Sequence, residues 1–78
     1  MFKHITKAKY LKAYKVRLIF NDGVEGEIDL ESEINFSKGV FEPLKNQDYF
    51  KTFAIRGGTL SWKNGADISP EKLYELLK

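Results

Sequence analysis

Two stretches of alternating residues on either side of one Asn-Asp-Gly tripeptide constrain this chain more than any other feature. Tyr14, Val16, Leu18 and Phe20 alternate with Lys15, Arg17 and Ile19. Val24, Gly26, Ile28 and Leu30 alternate with Glu25, Glu27 and Asp29. A period of two is the signature of a strand with one buried face. Asn21-Asp22-Gly23 between them is a hairpin turn in which Gly supplies the positive φ. A two-residue loop at Asp22-Gly23 would set Leu18 opposite Glu27 and mismatch the faces. A three-residue loop, a type I turn with Gly23 forming the bulge, pairs Phe20 with Val24, Leu18 with Gly26, Val16 with Ile28 and Tyr14 with Leu30. Its other face sets Arg17 against Glu27 and Lys15 against Asp29. A one-residue slip would bury the charges, so this register is the prediction.

The hairpin also gives meaning to an uneven charge distribution. Residues 1–20 carry six cations (Lys3, Lys7, Lys9, Lys12, Lys15, Arg17) and no acid, whereas residues 21–35 carry six acids and no cation. The net charge is only +2. Folding lays most of the two blocks side by side on one face. Exposed cross-strand pairs contribute only about 0.2–1 kcal/mol each, so they select register more than they stabilise.

The remaining elements follow from local signals. His4–Leu11 reads as a first, less regular strand ahead of a turn at Lys12-Ala13. Leu30 and Ile34 fit one or two helical turns after the hairpin. Gly39-Val40-Phe41-Glu42-Pro43-Leu44 reads as irregular, because Pro43 lacks a donor and biases Glu42 towards extended geometry. Val40, Phe41 and Leu44 are expected to cover one end of the sheet. Asn46 caps a brief helix over Gln47–Lys51 with Tyr49 and Phe50 turned inward. Thr52–Arg56 and Thr59–Trp62 flank Gly57-Gly58 as a second hairpin, and Lys63-Asn64-Gly65 is a further turn. Ser69 caps a last helix that has Pro70 at its first position and Leu73, Leu76 and Leu77 as its apolar stripe. The expected fold is α+β: a small, mostly antiparallel sheet of about five short strands, a short middle helix and a C-terminal helix packed on one face.

With 78 residues, 42% apolar and 14% aromatic, the chain can bury one core but not an enclosed active site with a supporting shell. Residues 1–78 are therefore read as one domain. No apolar run approaches the roughly 18 residues of a membrane span, and Met1-Phe2-Lys3-His4 has no secretory pattern. With no cysteine there is no disulfide framework, thiolate metal site or cysteine nucleophile. A soluble, cytoplasmic domain is expected.

Catalytic and metal constellations are not evident. His4 is the single histidine, without a Cys or nearby carboxylate at ligand spacing, and it cannot complete a triad with the chain's serines or threonines. The acids from Asp22 to Glu33 lack the ordering of a calcium loop, and Gly57-Gly58 is a bare hairpin dipeptide rather than a phosphate loop. No catalytic residue, cofactor or metal is expected. Two surfaces could bind. Lys7, Lys9, Lys12, Lys15 and Arg17, interleaved with Tyr10 and Tyr14, could form a nucleic-acid face, although a solvated basic face beside the acidic strand is the simpler explanation. Trp62, Lys63 and Asn64 could form a protein-binding patch around a partly exposed tryptophan, although the turn and helix start explain them structurally.

Several segments resemble one family of small bacterial proteins. They are Phe20-Asn21-Asp22-Gly23, Asp29-Leu30, Gly39-Val40-Phe41-Glu42-Pro43-Leu44, and Gly58-Thr59-Leu60-Ser61-Trp62-Lys63-Asn64-Gly65-Ala66-Asp67-Ile68-Ser69-Pro70-Glu71-Lys72-Leu73-Tyr74. The family is catalogued as domain of unknown function 2442. The likeness spans nearly the whole chain and departs at Lys63, where the family usually has proline. It implies no catalytic residues. It implies the antitoxin-like or inhibitory half of a two-gene module whose partner is encoded next to it. The expected function is therefore a non-enzymatic protein-interaction module, with self-pairing through a strand edge as a further expectation. The alternative is a nucleic-acid-binding regulator using the basic first strand.

Overall fold

The computed structural model of the chain describes residues 3–77. Met1 and Phe2, which open the segment read as lacking a secretory pattern, lie outside the described residues, as does Lys78. The elements in order are β1 (Ile5–Lys12), β2 (Lys15–Phe20), β3 (Glu25–Asp29), a 3-10 helix (Gly39–Lys45), α1 (Gln47–Phe50), β4 (Ala54–Arg56), β5 (Thr59–Ser61) and α2 (Pro70–Leu77). The fold is α+β. These five strands divide into a three-stranded sheet, β1-β2-β3, and a separate β4-β5 hairpin, all antiparallel. The hairpin is tied to β1 where Ile5 N–H donates to Gly58 C=O at 2.7 Å.

The β2–β3 register is the one the alternation demands. Val16 pairs with Ile28, Arg17 with Glu27, Leu18 with Gly26 and Lys15 with Asp29. Phe20 N–H donates to Val24 C=O at 2.8 Å, and Gly23 N–H donates back to Phe20 C=O at 3.0 Å, which closes the three-residue loop. Val16 and Leu18 are fully buried and Ile28 nearly so. Each such side chain contributes about 1.5–3 kcal/mol by leaving water.

The irregular period of β1 has a structural cause. Its pairing with β2 shifts twice, between Ile5 and Lys7 and between Tyr10 and Lys12. Each bulge inserts one unpaired residue and so flips the facing of the residues after it. Ile5 therefore meets Phe20 in the core, Ala8 and Tyr10 meet Leu18 and Val16, and Lys7, Lys9 and Lys12 all fall on the outer face.

The core lies between the inner face of this sheet and the elements after it. Phe50, at the end of α1, is its aromatic centre, with Tyr14, Trp62, Phe53 and Tyr10 rings at 5.2, 5.8, 6.2 and 6.3 Å. α1 is capped as expected, Asn46 Oδ1 accepting from Asp48 N–H at 2.9 Å. α2 starts at Pro70 behind Ser69 and docks Leu73, Leu76 and Leu77. Gly26 is what lets it approach β3: a Cβ there would lie 2.9 Å from Leu77 Cδ2.

Two expectations are corrected. Residues 39–45 form a regular 3-10 helix that accommodates Pro43, whose missing N–H costs little in so short a turn. Of the three residues expected to cover the sheet, Leu44 is fully buried and Phe41 half-buried, but Val40 is 47% exposed. After β3 the chain makes a single turn, within the one or two expected, with Glu33 and Ile34 N–H both donating to Leu30 C=O.

Candidate functional site

The Trp62 turn belongs to the core. Trp62 is only 4% exposed, its ring packs on Phe50 and Phe53, and its Nε1–H donates to Phe50 C=O at 2.8 Å. The expected partly exposed anchor is thus overturned. A tryptophan buried with its one donor satisfied contributes stability, not a contact surface. Lys63 and Asn64 remain exposed. Asn64 Oδ1 accepts from Ala66 N–H at 3.1 Å, and its Nδ2 donates to Val40 C=O at 2.7 Å. That second bond fastens the turn to the 3-10 helix and leaves the Val40 side chain bare beside it.

Next to Val40 in the chain, Phe41 turns into a groove between α2 and the segment after β3. Leu30, Ile34, Phe41, Ile68 and Leu76 form its apolar floor. Glu33, Asn35, Lys38, Asp67, Ser69 and Lys72 rim it, so both signs of charge are present. Its volume is about 340 Å³, at the small end of ligand pockets. Sequence reasoning missed this groove, because its two walls are some thirty residues apart in the chain.

The structure gathers the basic residues on the outer face of the sheet. Lys7 lies beside Ile19, Lys9 beside Arg17 and Lys12 beside Lys15. Their interleaved tyrosines are not with them. Tyr10 points inward against Phe50, and Tyr14 is buried with its hydroxyl donating to Lys45 C=O. Arg17 is engaged by Glu25 at 2.8 Å and Glu27 at 3.6 Å. Neither tyrosine offers these cations a stacking ring on their own face.

A third cluster joins the tip of the β2–β3 hairpin to α2. Asp22 Oδ2 accepts from Tyr74 O–H at 2.7 Å and lies 3.1 Å from Lys3 Nζ, which also sits 4.3 Å above the Tyr74 ring. Together with the Val24 N–H bond, these donors hold Asp22 down at about 2, the Tyr74 hydroxyl contributing most. Each donor's own bond to Asp22 in turn raises its pKa, that of Tyr74 and that of Lys3. The geometry closes on itself and staples a helix to a hairpin. Among the described residues no group of three or more His, Cys, Asp and Glu side chains could hold a metal ion, and no helix is long and apolar enough to cross a membrane.

A profile of the family described as protein of unknown function DUF2442 matches residues 5–78. The chain belongs to the DUF2442 family. No curated protein and no solved structure matches it significantly. Within this DUF2442 chain, the segments that carry the likeness meet in space. Gly39–Leu44 and the Trp62–Ala66 turn are joined by the Asn64–Val40 bond, and both Phe41 and Ile68 line the groove.

Proposed function

We propose that this DUF2442 chain is a non-enzymatic protein-binding module of the bacterial cytoplasm. It is the antitoxin-like or inhibitory half of a two-gene module, and it holds its partner in the groove between α2 and the segment 30–41. The observation that carries this reading is the groove itself, an apolar floor with a rim of both charges. A small interface needs one or two large, stiff side chains to offset the rigid-body entropy of association. With Trp62 committed to the core, such an anchor comes from the partner and this chain supplies the pocket. Glu33, Lys38, Asp67 and Lys72 on the rim set orientation and discourage wrong partners. The nucleic-acid reading has less support, since Arg17 is already paired and the tyrosines face inward.

The test is co-purification with the product of the neighbouring gene. Phe41→Glu, and separately the rim pair Lys38→Glu with Lys72→Glu, should each weaken capture at least about tenfold in a chain that still melts cooperatively. Lys7→Ala with Lys9→Ala should leave capture nearly unchanged. Folded groove variants that bind as wild type, beside a lysine pair that does not, would overturn the proposal in favour of the basic face.

A further inference from the structure

Among the described residues no helix packs on the outer face of the three-stranded sheet, since α1, α2 and the aromatic core lie on its inner side, and Ile55 of β4 borders it. The pairings arrange this face in rows. One row runs Lys7, Ile19, Glu25 and the next runs Lys9, Arg17, Glu27. Each row is a cation on β1, a central residue on β2 and an acid on β3. The terminal charges Lys7, Lys9, Glu25 and Glu27 are all exposed. The face is therefore positive along one edge and negative along the other.

Such a face is complementary to itself. A twofold axis lying along β2 in the plane of contact exchanges left for right while keeping position along the strand. It sets β1 of one copy over β3 of the other. Lys7 then meets Glu25 and Lys9 meets Glu27, each contact made twice by symmetry, as an isologous interface requires. At the axis Ile19 meets Ile19, and half-exposed Ile55 of β4 borders the shallow depression beside it. Arg17 meets Arg17, but each carries its own Glu25 and Glu27. Packed sheets cross at about 30°, so the end row Lys12, Lys15, Asp29, in which Lys15 would oppose Lys15, is splayed apart. We infer that the outer sheet face is a self-association surface, whose occupant is a second copy of this chain stacked face to face about a twofold axis along β2. A polyanion is the poorer occupant, because the acidic row on β3 lies within two strand spacings, about 10 Å, of the lysines.

Charge exchange tests this on the full chain by sedimentation equilibrium between about 10 µM and about 1 mM protein. The wild type should dimerise, with a dissociation constant rising at least about tenfold between about 20 mM and about 500 mM salt. Glu25→Lys with Glu27→Lys should be monomeric, and so should Lys7→Glu with Lys9→Glu. Their equimolar mixture should dimerise, because each altered edge then finds its opposite. If loss of the Arg17 partners unfolds the first variant, Ile19→Lys serves instead, removing association while leaving the edge rows intact. A wild type that stays monomeric at the highest concentration and lowest salt overturns the proposal. So does association that Ile19→Lys and the lysine reversal both leave unchanged. Salt-sensitive capture of a DNA or RNA duplex by a chain that stays monomeric would assign the lysines to nucleic acid.

Discussion

The chain uses one turn twice, in Phe20-Asn21-Asp22-Gly23-Val24 and in Trp62-Lys63-Asn64-Gly65-Ala66. In each, the aromatic N–H donates to the last residue's carbonyl, at 2.8 and 2.9 Å, and the glycine N–H returns to the aromatic carbonyl at 3.0 Å. Glycine takes a φ of 88° in one and 93° in the other. The residue before it accepts from the closing N–H, Asp22 from Val24 at 3.0 Å and Asn64 from Ala66 at 3.1 Å. The backbones match; the spare side-chain atom does not. A carboxylate has only acceptors, so Asp22 recruits the donors Tyr74 and Lys3 and holds α2. An amide keeps a donor, so Asn64 reaches the Val40 carbonyl and holds the 3-10 helix. One local motif thus staples two different elements, and the choice of acid or amide decides which.

The most damaging way to break the comparison is at the aromatic. Trp62→Ala leaves a cavity beside Phe50, and it leaves the Phe50 carbonyl with one long bond, from Phe53 N–H at 3.4 Å. It should cost about 3–5 kcal/mol, and Phe20→Ala should cost a similar amount. Denaturant titration checks this. A Trp62 loss below about 1 kcal/mol would mean that its turn is not part of the core.

The glycines give a smaller and more even effect. A Cβ on Gly23 or on Gly65 meets nothing within 4 Å, so only backbone strain resists it. Ala at either position should cost about 1–2 kcal/mol, and the two losses should agree within about 0.5 kcal/mol. Unequal losses would show that the turns differ in their backbones after all.

Side-chain exchange sharpens the difference. Asn64→Asp removes the donor facing Val40 C=O and should cost about 0.5–1.5 kcal/mol at neutral pH. Asp22→Asn keeps the turn but gives up a charge-assisted acceptor, and its signature lies in pH dependence. Asp22 has its pKa lowered to about 2 in the folded chain, against 3.8 without its partners. Its contribution is therefore present above pH about 4 and lost as the pH falls towards 2. The melting temperature should fall more steeply over that window in wild type than in Asp22→Asn. Tyr74 and Lys3 have raised values, so their contribution is present below pH 10 and lost above it. Parallel acid profiles for wild type and Asp22→Asn would remove Asp22 from the staple.

How far the sequence could be read depended on the length of each pattern. Residues 14–30 supply enough alternating positions to set faces, register and loop length together. β4 and β5 supply three each, and there the rule fails: Ile55 is apolar yet 37% exposed, while Thr59 is polar yet buried, with its hydroxyl donating to Ile68 C=O. The same shortness hid whether Trp62 faced inward. The bulges of β1 were visible only as a blurred period, and they decide that Lys12 joins Lys7 and Lys9 on the outer face.

What the sequence by itself determined was local or nearly so: the Gly23 bulge turn, the place of the turn at Lys63-Asn64-Gly65, the β2–β3 register, the Asn46 and Ser69 caps and the apolar stripe of α2. Each rests on neighbouring φ/ψ preferences or on a charge that cannot be buried. Only the tertiary structure decided that Trp62 is core, that Val40 is bare, that the strands part into two sheets, and that Leu30–Phe41 and Asp67–Leu76 enclose a groove. Those outcomes depend on which distant surfaces exclude water from one another, and burial at a distance leaves no periodic trace in a three-residue strand or a loop.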